Sequence, residues 1–168
     1  MDVINKRRSV RQYKNQPIEQ EKIEAMLKAA MQAPSARNQQ PWQFLVIQDK
    51  DNLHKLSHIS KNAQMVRQAG VAFVLLIDTQ NLRIPEMAPV DLAAATENLL
   101  LKATDLGLGS VWIGVYGREG RPNLVKEVCS IPKHLEPFSI VSVGYPLDEN
   151  ANYFIDRFDK SKITYESF

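Results

Sequence analysis

With 168 residues, 44% of them hydrophobic and 24% charged, the chain holds enough apolar material for one cored domain and has an ordinary globular composition. A formal net charge of +2 excludes a general polycation, so bulk charge points to neither nucleic acid nor an anionic membrane. One cysteine excludes an intramolecular disulfide, and the apolar run from Val71 to Ile77 is far short of the roughly 20 residues of a membrane-spanning helix.

The chain opens with a basic cluster, Lys6 to Arg11, and no stretch like a signal peptide; a single cytoplasmic domain over residues 1–168 is expected. Ile23, Met26, Leu27, Ala30 and Met31 recur at helical spacing, which predicts an amphipathic helix over 19–32, with Pro34 just past its end. Phe44 to Ile47 reads as a short strand, 51–59 as a weak helix and 62–68 as a second short one. Val71 to Asp78 is continuously apolar and β-branched, the mark of a strand buried on both faces. Residues 79–89, with Pro85 and Pro89, read as a loop. The longest helix is predicted over 90–106, its inner face formed by Leu92, Ala95, Thr96, Leu99, Ala103 and Leu106, and Gly107 stops it. A strand over Ser110–Val115, a helix over 122–129 opening on Pro122, and a strand over Ile140–Val143 follow. The tail, 150–168, carries Tyr153, Phe154, Phe158, Tyr165 and Phe168 without a periodicity of its own, which predicts that it packs on something else, such as a second subunit. The two short helices between the first strands break a clean βα alternation, so a mixed sheet sandwiched by helices is expected.

Two polar stretches carry the chemistry. Arg7-Arg8-Ser9-Val10-Arg11 puts three guanidiniums and a hydroxyl in five residues; Arg7 and Arg11 share a face in either a strand or a helix, a phosphate-binding pattern whose bland alternative is a solvated charge run. Pro34-Ser35-Ala36-Arg37-Asn38-Gln39-Gln40-Pro41-Trp42 is a stiff loop of amides beside an indole, suited to a planar ligand with polar edges. Lys160-Ser161-Lys162 repeats two cations around a hydroxyl. Conventional catalytic sets are missing. His54 and His58 lack a third metal ligand, Cys129 sits in a helix pattern, and there is no G-x-S-x-G, P-loop or G-x-G-x-x-G. Gly107 and Gly109 read as structural. Such a chain is either a binding module or an enzyme whose cofactor does the chemistry.

Taken in order, Arg7 to Tyr13, Pro34 to Trp42, Glu97-Asn98-Leu99, Gly107 to Gly114 and Gly144-Tyr145-Pro146 resemble the FMN-dependent nitroreductase family over nearly the whole chain. The resemblance implies an α+β fold, with a mixed, mainly antiparallel sheet of four to five strands between helices. It implies a homodimer that exchanges C-terminal tails and binds two FMN at the interface. Arg7, Arg8 and Ser9 would then hold the phosphate and ribityl end, and Arg11 would approach the pyrimidine side. Pro34, Ser35, Arg37 and Asn38 would reach the flavin from the partner. Ile113 and Gly114 would lie near N5, with the Gly114 N–H offered to it, and Lys160 and Lys162 would complete the phosphate site. The family often has arginine where Lys162 stands; lysine keeps the charge and loses the bidentate fork. The implied reaction passes electrons from NADH or NADPH to nitroaromatic, quinone or similar small acceptors in a ping-pong cycle. It needs no protein nucleophile, no metal, no nucleic acid and no membrane. A non-catalytic flavin-binding module and a member doing dehalogenation or other flavin chemistry are the alternatives. Residues 79–90 are all that stands where longer relatives insert helices over the site, which predicts an open pocket.

Overall fold

The computed structural model describes residues 3–167. Its centre is one sheet of β1 (Trp42–Ile47), β2 (Val71–Asp78), β3 (Gly109–Gly114) and β4 (Leu135–Gly144), in the order β1-β2-β4-β3 and antiparallel at every pairing. β2 lies inside the sheet, and its period-two alternation divides one apolar run between two cores. Phe73, Leu75 and Ile77 meet Ile23 and Met26 of α2 (Gln20–Met31) and Leu92 and Leu99 of α4 (Ala88–Asp105). Ala72, Val74 and Leu76 meet Leu53 and Leu56 of α3 (Lys50–Ser57), Val66 of the 3-10 segment Lys61–Gln68, and Val125 of α5 (Arg121–Cys129). Helices thus cover both faces of the sheet.

The expected helices and strands are all present, with corrections that have physical causes. The sheet is four-stranded and wholly antiparallel rather than mixed. What stands in for a fifth strand is residues 7–13, which touch the sheet through two isolated bridges, Ser9 to Ser110 (parallel) and Tyr13 to Pro146 (antiparallel). β4 starts at Leu135 rather than Ile140, although Pro137 lies within it. The proline is tolerated because the β2–β4 register shifts between Leu75 and Leu76, leaving the ladder irregular there. Residues 62–68 form 3-10 rather than α-helical turns. A 3-10 turn at Pro85–Met87 runs straight into α4, which therefore begins at Ala88 with Pro89 in its first turn. The short helix α1 (Val3–Lys6) offers too few residues for a periodicity to show. α4 ends as Gly107 takes a φ of 74°: the Gly107 N–H donates to Thr104 O and that of Leu108 to Ala103 O, closing the helix and turning the chain into β3.

Beyond β4 the chain leaves the body. Asn152 is the last residue hydrogen-bonded to the body among the described residues: its side-chain amide donates to Leu108 O at 3.0 Å, and its Oδ1 accepts from the Arg8 N–H at 3.3 Å. From Tyr153 to Ser167 every residue is exposed, including Phe158 at 70% and Tyr165 at 81%, so these rings cover none of their own core.

Candidate functional site

The basic N-terminal segment is seated by two glycines. Gly109 and Gly144 face each other in the β3–β4 register. A Cβ on Gly109 would stand 2.6 Å from Val10 Cγ1, and one on Gly144 2.6 Å from Tyr13 Cγ. Only hydrogen at both positions lets the strap lie against the sheet. The Val10 N–H donates to Ser110 O at 2.9 Å. The Tyr13 hydroxyl is buried 2.8 Å from Val10 O and 3.1 Å from Ser142 O, and burial pushes the phenol pKa well above its ordinary value.

The strap spreads its guanidiniums among different tasks. Arg7 Nε pairs with Glu97 Oε1 of α4 at 3.2 Å. Arg8 folds back to donate to Asn5 O at 2.8 Å and to Arg7 O, capping α1, and its guanidinium lies 5.3 Å from the centre of the Tyr153 ring. The Arg8 Nε is buried with no hydrogen-bond partner among the described residues. Ser9 is exposed. Arg11 donates to Ser9 O at 3.2 Å and lines a cleft of about 520 Å³ with Lys61, Asn62, Met65, Val111, Trp112, Ile113, Gly114, Arg118 and Arg121.

That cleft joins two of the expected flavin contacts, Ile113 and Gly114, to Arg11. No carboxylate lines it, and none of its four cations has an ion-pair partner among the described residues. β3 is an edge strand. Its odd residues face β4, as the neighbouring Val115 N–H does toward Phe138 O, whereas Ser110 O turns outward to the strap. Strand alternation therefore sends the N–H and C=O of Gly114 outward too. The Arg121 guanidinium donates to that carbonyl at 2.6 Å, fixing the Gly114–Val115 peptide, and no atom lies within 4 Å of a Cβ built on Gly114. The Gly114 N–H points away from β4.

The amide-rich loop stands elsewhere. It precedes β1, on the opposite sheet edge, three strand spacings or about 14 Å away. Arg37, Asn38 and Gln40 hold φ of 49°, 54° and 46°, unusual for residues with a Cβ. Ser35 Oγ accepts from the Gln40 N–H at 3.0 Å, and Asn38 Oδ1 from Gln40 Nε2 at 3.1 Å. Asp91 in the first turns of α4, only 4% exposed, accepts from the Ala36 N–H at 2.9 Å and from Gln39 Nε2 at 2.7 Å. Pro34, Arg37 and Asn38 are exposed. Lys160 and Lys162 are exposed on the arm, where Asp159 caps their turn through the Ser161 N–H and hydroxyl. One copy of the chain thus brings Arg11, Ile113 and Gly114 together and leaves the loop and the arm lysines apart.

Sequence reading gave no role to Lys61, Arg118, Arg121, Gln39 or Asp91. Arg118 and Arg121 were findable as cations in the glycine turn following a strand. Asp91 was not, because nothing local separates it from any other helix-opening acid. The remaining candidates stay structural. His54 and His58 have ring centroids 4.7 Å apart, and no group of three possible metal ligands occurs among the described residues. Burial raises the thiol of half-buried Cys129 to about 11, which keeps it protonated near neutral pH. No described helix is long and apolar enough to cross a membrane.

Comparison with known proteins identifies the family and the fold. The Nitroreductase family model matches residues 4–145. A protein of Archaeoglobus fulgidus, provisionally named NADH dehydrogenase/NAD(P)H nitroreductase, is 45% identical over all of this chain and 98% of its own length. A Clostridium acetobutylicum crystal structure, provisionally described as an NADH oxidase, superposes with a TM-score of 0.95 at 49% identity, covering 99% of this chain and 100% of that one. A Desulfovibrio desulfuricans structure, provisionally a nitroreductase and in complex with FMN, superposes at 0.83 with 28% identity, covering 98% and 94%.

Proposed function

Because the chain belongs to the Nitroreductase family, we propose that it is an FMN-dependent oxidoreductase, drawing electrons from NADH or NADPH and passing them to a small acceptor as a homodimer. The observation that carries this reading is the division of the ligand groups. A carboxylate-free cationic cleft with an outward backbone donor occupies one sheet edge, and a loop of exposed polar groups occupies the other. An arm of uncovered aromatics and two lysines leaves the body. Two copies complete what one leaves apart.

The donor set suits FMN. Its phosphate carries close to two negative charges near neutral pH. Arg7 and Ser9, the orphaned Nε of Arg8, and Lys160 and Lys162 of the partner subunit answer it. Arg11 sets a guanidinium where the pyrimidine edge gains negative charge, raising the reduction potential. The Gly114 N–H, turned away from β4 beside the carbonyl that Arg121 holds, would be the donor offered to N5. The partner's Pro34, Ser35, Arg37 and Asn38 close the other side. When bound, FMN would supply the hydride and electron transfer between a reduced nicotinamide and an acceptor. The protein's part is orientation, electrostatics and an open slot that donor and acceptor occupy in turn, a ping-pong order. The short 79–87 segment would leave that slot open to flat acceptors such as nitroaromatics or quinones.

The decisive experiment is the absorption spectrum. Purified protein with FMN should be a yellow dimer, and anaerobic NADH or NADPH should bleach the flavin band. FMN-saturated protein that no nicotinamide reduces would overturn the enzymatic reading, and a monomer indifferent to FMN would overturn the site.

A further inference from the structure

The Gln39 side chain uses all of its hydrogen-bonding capacity in bridging three segments. Its Oε1 accepts from the N–H groups of Arg83 at 3.1 Å and Ile84 at 3.0 Å. Its Nε2 donates to Ile84 O at 3.1 Å and to Asp91 Oδ2 at 2.7 Å. The amide thus pairs with residues 83–84 as a neighbouring strand would. Its direction is set by Asp91, which as a carboxylate only accepts. Asp91 has no cation partner among the described residues; its other oxygen takes the Ala36 N–H, and its place near the α4 N-terminus favours negative charge. Arg83 adds a bond from its guanidinium to Arg37 O at 3.4 Å. This network grips a loop whose Arg37, Asn38 and Gln40 sit at positive φ, where backbone strain persists only if the surroundings over-determine it.

We infer that Asp91 and Gln39 are positioning residues that lock the Pro34–Asn38 loop to the 79–87 segment, so that flavin contact with the loop is transmitted to the segment bordering the substrate slot. The inference rests on the FMN reading above and adds to it a mechanical link between cofactor occupancy and the slot. Asp91→Asn must cost the loop one of its two bonds to this side chain. With the asparagine oxygen on the Ala36 N–H, its NH2 faces Gln39 Nε2, donor against donor, and a flipped Gln39 would turn its NH2 on the Arg83 and Ile84 N–H groups; with the asparagine turned the other way, its NH2 meets the Ala36 N–H. Gln39→Glu sets carboxylate against carboxylate. The double variant Gln39→Glu/Asp91→Asn reverses both partners and restores every pairing except that to Ile84 O.

The test measures FMN affinity by fluorescence quenching and tryptic cleavage of the Arg83–Ile84 bond, with and without saturating FMN. In the wild-type dimer, FMN should slow cleavage at Arg83. In Asp91→Asn and Gln39→Glu, FMN affinity should fall roughly tenfold, as for one lost charge-assisted bond. Cleavage should then be fast even with FMN saturating and the global melting transition intact, and the double variant should recover part of both. Wild-type protein that does not bind FMN would overturn the reading and the inference together. Wild-type protein that binds FMN without protection at Arg83, or single variants that keep both affinity and protection, would overturn the inference alone. A double variant no better than the singles would also count against it, because a merely structural pair would show no such rescue.

Discussion

The two polar segments of the proposed site hold their backbones by different physics. The strap Arg7–Tyr13 lies on the β3 edge by shape: two missing side chains, Gly109 and Gly144, make a notch that Val10 and Tyr13 fill. The loop Pro34–Pro41 lies before β1 and is held by hydrogen bonds to Asp91, Arg83 and Ile84 and by the Ser35–Gln40 bond within it, against strained backbone at three residues. Packing of the first kind tolerates no added volume. Bonding of the second kind tolerates volume and not a change of donor or acceptor. The proposed dimer would need both ledges rigid, since each copy would supply part of the contacts.

The largest expected effect comes from removing what would join the two edges. A chain ending after Asn152 should sediment as a monomer and lose FMN affinity on the order of a hundredfold, as for two lost cationic contacts; an intact, FMN-binding dimer would show that the arm is dispensable. Gly144→Ala comes next. Its Cβ would collide with the Tyr13 ring, and overpacking of this kind costs about 1–3 kcal/mol, read as a lower urea midpoint with weaker flavin binding. Asn38→Gln adds volume that no packing opposes, so its cost should be confined to the left-handed backbone at φ 54° and the bond to Gln40, and should fall below that of Gly144→Ala, which sharpens the contrast between the ledges.

Arg121→Ala tests whether pinning the Gly114 carbonyl matters to the cofactor. FMN affinity should weaken by about tenfold, one bond from a charged donor, while urea stability changes less. Tyr13 gives the strap a pH signature. Its phenol pKa is raised in the fold by burial, above the 10.0 of a free phenol. Its contribution is therefore complete below pH 10 and declines as pH rises beyond it, because the unfolded chain loses the proton first. Tyr13→Phe should flatten the alkaline limb of the stability curve, checked by denaturation between neutral pH and pH 11. The smallest effect belongs to Glu97→Gln. The partly exposed pair with Arg7 is worth at most about 1 kcal/mol, so stability should barely move, while the released guanidinium should tighten FMN slightly in a titration.

Much of this was legible in the residues. The β2 run announced its burial on both faces because it contains no polar gap, and the α2 and α4 faces announced theirs by spacing. The strap and the loop stood out because charged and amide side chains crowd a short length of chain. Other features left no local mark. Pro137 hid the first half of β4, since tolerance of a proline depends on a register shift that only the neighbouring strand reveals. Arg8 looked like a phosphate ligand and is also the cap of a helix too short to show a pattern.

The chain by itself determined which segments are apolar, how their periodicity divides into strands and helices, and which stretches carry cations and amides, because these depend on side-chain chemistry at short sequence separation. Only the tertiary structure decided that Gly109 and Gly144 form one notch, that Gly114 turns its N–H outward with Arg121 on its carbonyl, and that Asp91 reaches back 52 residues to orient Gln39. The glycine notch and the Asp91–Gln39 bond join segments that no short window contains, and Gly114, though only seven residues from Arg121, turns outward because β3 lies at the sheet edge.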